Sequence, residues 1–283
     1  MLSQRWLVNL VLVILIAGLI VTATIFERDP VEESTPAISP LSREAISTLG
    51  IEYGDLDIDL VRTDSGWRID APIRWPANAA NLQRILSVLE IEAAPLAQAG
   101  DVDLAALGLA QPVARLQFDD TEMHFGAINN IGGRRYLMID NRIYLMADVH
   151  LAFIAQGLPG LVERSLLPPP FAIQSLTLPG IAIERLQDDS WRSSPATYSN
   201  EGIRDLVDNW QGLQASRIQA FNLQGSAREV IEVQLQDGRR LDFLLMATEP
   251  ELILANPEID LQYHFLRDFA EQLLTLPVTA DAS

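Results

Sequence analysis

The chain states one pattern twice, and that repetition limits its fold more than any other feature. VRTDSGWRIDAP (61–72) returns as ERLQDDSWRSSPA (184–196), each reading as strand, acidic turn, Trp-Arg, short strand and proline. Leu82, Ile85, Leu86 and Leu89 then follow at the 0, 3, 4, 7 spacing of an amphipathic helix. Ile203, Leu206, Val207 and Trp210 repeat that stripe 121 positions later. Asn78 and Ser199, also 121 apart, are suited to cap the two helices, because a short polar side chain can accept from the orphan amides of a first turn.

The strands echo as well. ARLQFDDTEMHF (114–125) and IEVQLQDGRRLDF (231–243) predict hairpins turning at Asp119-Asp120 and Asp237-Gly238. RYLMIDNRIYLM (135–146) matches ELILANPEIDL (251–261), each with an asparagine at its turn. A closing helix is predicted from Leu151, Ile154, Ala155 and Leu158, and again from Leu266, Phe269, Ala270 and Leu273. Five segments in one order argue for duplication, with a period far longer than a solenoid unit. The expected fold is α+β: one N-terminal transmembrane helix, then two tandem homologous α+β modules with mainly antiparallel sheets.

Trp6 to Phe26 holds 21 residues without a charge. As a helix it would extend about 30 Å, the thickness of a bilayer core. An uncleaved anchor is favoured over a signal peptide cut after Ala23, because the apolar run continues past that point. Arg5 and the short head suggest a cytoplasmic N-terminus, with the large domain periplasmic or otherwise extracytoplasmic. The expected divisions are 1–26 anchor, 27–42 acid- and proline-rich tether, 43–165 first module, 166–170 joint, 171–275 second module and 276–283 tail. The three consecutive prolines of LLPPPF (166–171) predict a stiff joint.

Composition removes whole classes of chemistry. There is no cysteine, so disulfides, thiolate nucleophiles and Cys-based metal sites are excluded. All 20 bases are arginine, which rules out Schiff bases and the P-loop lysine. The 38 acids give a formal charge of −18, which repels nucleic acid. No cofactor is expected.

GWRIDAPIRWPANAANLQRILSVLEIE, DLAALGLAQP and GGRRYLMIDNRIYLM carry a further message. Their Gly-Trp, Gly-Leu-x-x-Pro and Arg-Tyr pattern resembles the bacterial domain-of-unknown-function family 4340, over roughly residues 57–153. The second copy is looser, lacking the Gly before Trp191 and the Gly-Leu-x-x-Pro segment. The resemblance implies a membrane-anchored, exported protein, since members have one N-terminal membrane helix. Some are encoded beside auxiliary components of gliding-motility-type ABC transporters. It transfers no catalytic residue.

Individual residues point to little chemistry. Asp55, Asp57 and Asp59 alternate with Leu56, Ile58 and Leu60, as on a strand with one solvated face. His124, His150 and His264 lack metal-ligand spacing, and the last two are expected to begin equivalent closing helices. Gly126–Gly133 reads as a turn, and Trp67 and Trp191 read as core plugs. Arg134, Arg135, Arg239 and Arg240 are the best candidates for contacting an anion or a partner. The expected function is a non-catalytic binding or accessory module of the envelope, linked to an ABC-type transport system. Its expected partners are the membrane and an envelope or transporter protein. The alternatives are an envelope hydrolase using an Asp/Glu pair, or a structural scaffold.

Overall fold

The computed structural model describes residue 16 and residues 35–195, 198–221 and 229–276. It divides into two units, Met1–Pro36 and Ala37–Ser283. In the first, the described residues are Ile16, which is helical, and Thr35 and Pro36. The membrane span expected over Trp6–Phe26 otherwise lies outside the described residues. Among the described residues, no helix is long and apolar enough to cross a membrane.

The second unit is α+β, with two antiparallel sheets and few helices. Its strands are β1 (Thr48–Tyr53), β2 (Leu56–Thr63), β3 (Gly66–Ala71), β4 (Trp75–Pro76), β5 (Ala97–Gln98), β6 (Ala114–Phe118), β7 (Thr121–Ile128), β8 (Arg134–Ile139) and β9 (Arg142–Ala147). They continue as β10 (Ile173–Leu178), β11 (Ile181–Arg185), β12 (Trp191–Ser194), β13 (Arg217–Ala220), β14 (Glu229–Leu235), β15 (Arg240–Ala247), β16 (Glu251–Asn256) and β17 (Leu261–Leu266). The first sheet is ordered β4-β3-β2-β1-β6-β7-β8-β9-β5, and the second β12-β11-β10-β14-β15-β16-β17-β13. Without β4, the first order is the second, strand for strand. One irregularity corresponds, a register shift between β7 and β8 that returns between β15 and β16, whereas the shifts in β2–β3 and β10–β14 have no counterpart in β11–β12 and β1–β6.

Local chemistry explains the elements. Alternation places Ile58 and Leu60 of β2 inward, with Asp57 and Asp59 exposed. The hairpins turn where acidic or amide residues tolerate a left-handed backbone: Asp119 at φ 46°, and Asp140 and Asn141 at 47° and 63°. Helix α1 (Ala79–Leu86) buries Leu82, Ile85 and Leu86. Its cap Asn78 accepts from the Asn81 amide at 3.1 Å.

The closing helices depart from expectation. The first breaks into α2 (Leu151–Ile154) and α3 (Gly157–Leu161), because Gly157 is left-handed at φ 60° and Pro159 follows. Helix α4 (Asn200–Gly212) buries Ile203, Leu206, Val207 and Trp210, and its cap Ser199 accepts from the Gly202 amide at 3.1 Å. The last helix, α5, covers only Phe269–Leu274. Leu266 ends β17 instead and is 59% exposed.

One continuous apolar core spans both sheets. The segment read as a joint takes part in it: Leu166, Leu167 and Phe171 are buried. Chain 161–167 knits the halves by backbone hydrogen bonds. Asn78 donates to the Leu161 carbonyl at 2.7 Å and Glu163 to the Pro76 carbonyl at 3.0 Å on one side. Ala215 donates to the Arg164 carbonyl at 2.9 Å on the other. The end of the expected tether also folds in. Ile38 is buried and donates to the Ile91 carbonyl at 2.8 Å, because an apolar side chain beside a sheet gains by leaving water.

Candidate functional site

A groove of about 270 Å³ opens where the first half meets the joint and the second half. The β2–β3 turn supplies one wall. Gly66 takes φ 117° there, and Thr63 Oγ1 donates to its carbonyl at 2.7 Å, which sets Trp67 and Arg68 at the start of β3. Trp75 and Pro76 form a second wall, and Pro169, Pro170 and Phe171 of the joint form the third. Trp75 and Phe171 meet at 4.8 Å between ring centroids. The β14–β15 turn, with Gly238 at φ 89°, delivers Arg239 to the rim, its guanidinium 5.0 Å above the Phe171 ring.

The rim charges are balanced nearby. Arg239 pairs with Asp237 at 2.8 Å. Arg68 and Arg74 share Asp70 at 2.8 and 3.3 Å, and the Arg68 hydrogen bond holds the Asp70 carboxyl below its usual range. Trp67 is half-buried, under the Arg62 guanidinium at 4.9 Å, and its indole N–H is sealed from solvent without an acceptor. It therefore lines a groove as well as covering the core. Among the described residues, the groove's lining has the hydroxyls of Thr63 and Ser65 but no His, Asp or Glu. Such a surface can grip an apolar or proline-containing segment and has no base to activate a nucleophile.

The four arginines singled out by sequence fall in different settings. Arg134 is exposed at the start of β8. Arg135 is buried, with Nε and Nη2 on the two oxygens of Asp148 at 2.6 and 2.7 Å and Nη1 on the Gly126 carbonyl. That three-way tie fixes the β7 bulge against the chain after β9. Arg240 pairs with Glu232 and Asp242 at 2.8 and 2.9 Å. Arg239 alone of the four lines the groove.

The histidines also separate. His124 on β7 contacts Glu122 at 2.7 Å. His150 precedes α2, with Nε2 3.1 Å from Ser87 Oγ, and burial lowers its pKa. His264 lies within β17 rather than at a helix start, because the strand runs on to Leu266. Its Nδ1 is 3.1 Å from Glu251. Among the described residues, no group of three or more His, Asp or Glu is placed to hold a metal ion.

Sequence reasoning missed Trp75, Arg74 and Phe171. One signal was available in the sequence: five residues separate Pro72 from Asn78 but three separate Pro195 from Ser199, so the two halves differ in length where RWP (74–76) lies.

Fold and site together define an α+β protein of two equivalent antiparallel sheets with an aromatic- and proline-lined groove, rimmed by arginines, at their junction. The chain belongs to the family described as Domain of unknown function (DUF4340), which matches residues 67–237. The match runs from Trp67 in β3 to Asp237 after β14, so it takes in parts of both sheets, beyond the 57–153 suggested by the motifs. No curated protein and no solved structure matches the chain.

Proposed function

We propose that this protein is a membrane-anchored, non-catalytic accessory module of the bacterial envelope that binds a protein of an ABC-type transport system. The groove carries this reading, because both halves build it, aromatic rings and prolines line it, and its described lining offers no acid or base. An extended, proline-containing segment of the partner fits that surface, since pyrrolidine rings stack on indoles such as Trp67. The uncharged run Trp6–Phe26 supports the anchor in the cytoplasmic membrane, and the acidic, cysteine-free body supports a place outside the cytoplasm. The shared strand order supports a tandem duplication. The link to transport rests on the family resemblance.

Crosslinking followed by purification in mild detergent tests the proposal. A transporter protein should be recovered reproducibly with the full chain and lost with Arg239→Ala, at an exposed rim position, whose unfolding temperature should stay close to that of the parent. Recovery of the protein alone would remove the basis of the accessory role. A C-terminal alkaline-phosphatase fusion should be active; an inactive one, with an active cytoplasmic reporter in its place, would reverse the topology.

The hydrolase alternative has one observation in its favour. Glu52, Asp57, Asp59, Asp70 and Glu122 gather around a hollow on the outer face of the first sheet. Asp70 there is held ionised by Arg68, the opposite of what a general acid requires. Glycan cleavage abolished by Glu52→Gln and Asp57→Asn would revive that reading.

A further inference from the structure

A second cleft shares no lining residue with the groove, and it differs in how its arginines are balanced: those of the groove pair with Asp70 and Asp237, whereas among the described residues two of those in the cleft have no such partner. It measures about 320 Å³ and lies between the start of α1, the α2–α3 region and β13. Arg84, Arg164 and Arg217 line it, and among its described lining residues there is no carboxylate. In a chain with 38 acids and 20 bases, three guanidiniums around one hollow without an acid mark a local positive field.

The charges are held in place rather than cancelled. Arg164 Nε donates to the Ala215 carbonyl at 2.7 Å, and Nη2 to the Ala215 and Ser216 carbonyls, the latter at 2.9 Å. These bonds fix the guanidinium and, among the described residues, leave Nη1 unused and the charge uncompensated. Arg84 lies 5.5 Å above the Phe153 ring. Among the described residues, neither Arg84 nor Arg164 has a carboxylate partner within salt-bridge distance. Arg217 shares its charge with Glu251 at 2.8 Å, so Arg84 and Arg164 carry the field.

Asn81 adds a second requirement. It is 3% exposed, and its Nδ2 donates to the Gly160 carbonyl at 2.9 Å, which settles which end of the amide is oxygen. Its Oδ1 is buried and, among the described residues, receives no hydrogen bond. A buried acceptor left alone costs about 1–3 kcal/mol, so a ligand that donates to it is favoured over one that cannot.

We propose that this cleft binds a small hydroxylated anion, with the negative group on Arg84 and Arg164 and a hydroxyl donating to Asn81. The volume lies at the lower end of small-molecule sites and suits a monosaccharide-sized acid or phosphate. Planar guanidiniums accept carboxylate and phosphate alike, so the shared chemistry is an anion beside a hydroxyl. The proposal is independent of the partner bound in the groove.

Isothermal titration of the full chain in detergent micelles decides it, with glucuronate, glucose 6-phosphate, acetate and glucose as probes. Saturable binding of glucuronate or glucose 6-phosphate is expected, and the preference between them names the anionic group. Acetate, lacking the hydroxyl, and glucose, lacking the charge, should each bind about tenfold more weakly or worse. Arg84→Gln, at an exposed position, should weaken the better ligand about tenfold at unchanged unfolding temperature. Arg164→Gln should do the same, and if that variant unfolds, Arg84→Gln alone stands as the test. No saturable binding of either anion, equal binding of glucose, or affinity indifferent to Arg84→Gln would each overturn the proposal.

Discussion

The two halves follow one strand order but solve their packing differently. In the first, the connection between β5 and β6 carries the Gly-Leu-x-x-Pro motif and builds a small satellite core from Ala99, Leu109 and Ile143. It fits because two glycines let the chain pass close to the sheet. A Cβ on Gly108 would meet the Ala127 nitrogen at 2.7 Å, and one on Gly126 would meet the Leu107 carbonyl oxygen at 2.5 Å. In the second half, Phe243 stands where Phe125 does, and the residue after it is Leu244 rather than glycine. That half relies on a longer helix and on Trp210, where the first half has Leu89. The motif found in the first half is thus a packing device for a loop. It says nothing direct about ligand chemistry.

The sharpest way to break the comparison is at Trp210. It is fully buried, donates to the Leu273 carbonyl at 2.8 Å and meets the Phe243 ring edge-on at 5.4 Å. Trp210→Ala should cost about 3–5 kcal/mol in urea unfolding. A loss below about 1 kcal/mol would mean the second half does not depend on this anchor. Next comes Gly126→Ala, expected to cost about 1–3 kcal/mol because backbone must move to admit the methyl group. Leu244→Ala, at the equivalent position, should act only as a modest truncation without strain, and a tolerated Gly126→Ala would erase the distinction drawn between the halves.

Smaller effects test what the halves share. Asn78→Ala and Ser199→Ala each remove a side-chain cap and should each lower stability by about 1 kcal/mol. Clearly unequal losses would show that the equivalent helices are not equally dependent on their caps. The least effect concerns His150, whose neutral form is favoured by burial, below the ordinary value of 6.5. Between the folded and unfolded values the unfolded chain binds more protons. Stability is therefore full above pH 6.5 and declines as pH falls through the lowered folded value. His150→Gln should flatten that part of the stability profile, and an unchanged slope would place the pH dependence elsewhere.

Much of the fold was legible because its signals are local. Alternation marked β2, the turn residues marked the hairpins, and the stripes with Asn78 and Ser199 marked α1 and α4. What stayed hidden was set by distant contacts. Nothing near Leu266 in sequence says that β17 extends to it, since strand pairing with Glu251 decides that. The prolines of the joint suggested a stiff joint, yet the flanking Leu166 and Leu167 lie in the core. The groove unites Trp67 with Phe171 and Arg239, and the cleft unites Arg84 with Arg164 and Arg217, across separations no short window covers. Arg135 shows the converse: a paired-arginine motif suggested an outside anion, whereas the partner was Asp148, thirteen residues on.

Among the described residues, both sheets end in very short strands: two residues each in β4 and β5, and four each in β12 and β13. A border that brief exposes too few backbone groups to template a neighbouring chain. A protein whose two sheets share one strand order runs a particular risk of exchanging or stacking them between molecules. The blunt borders counter fibre growth and domain swapping, so two look-alike sheets can be made in one polypeptide without sticking end to end.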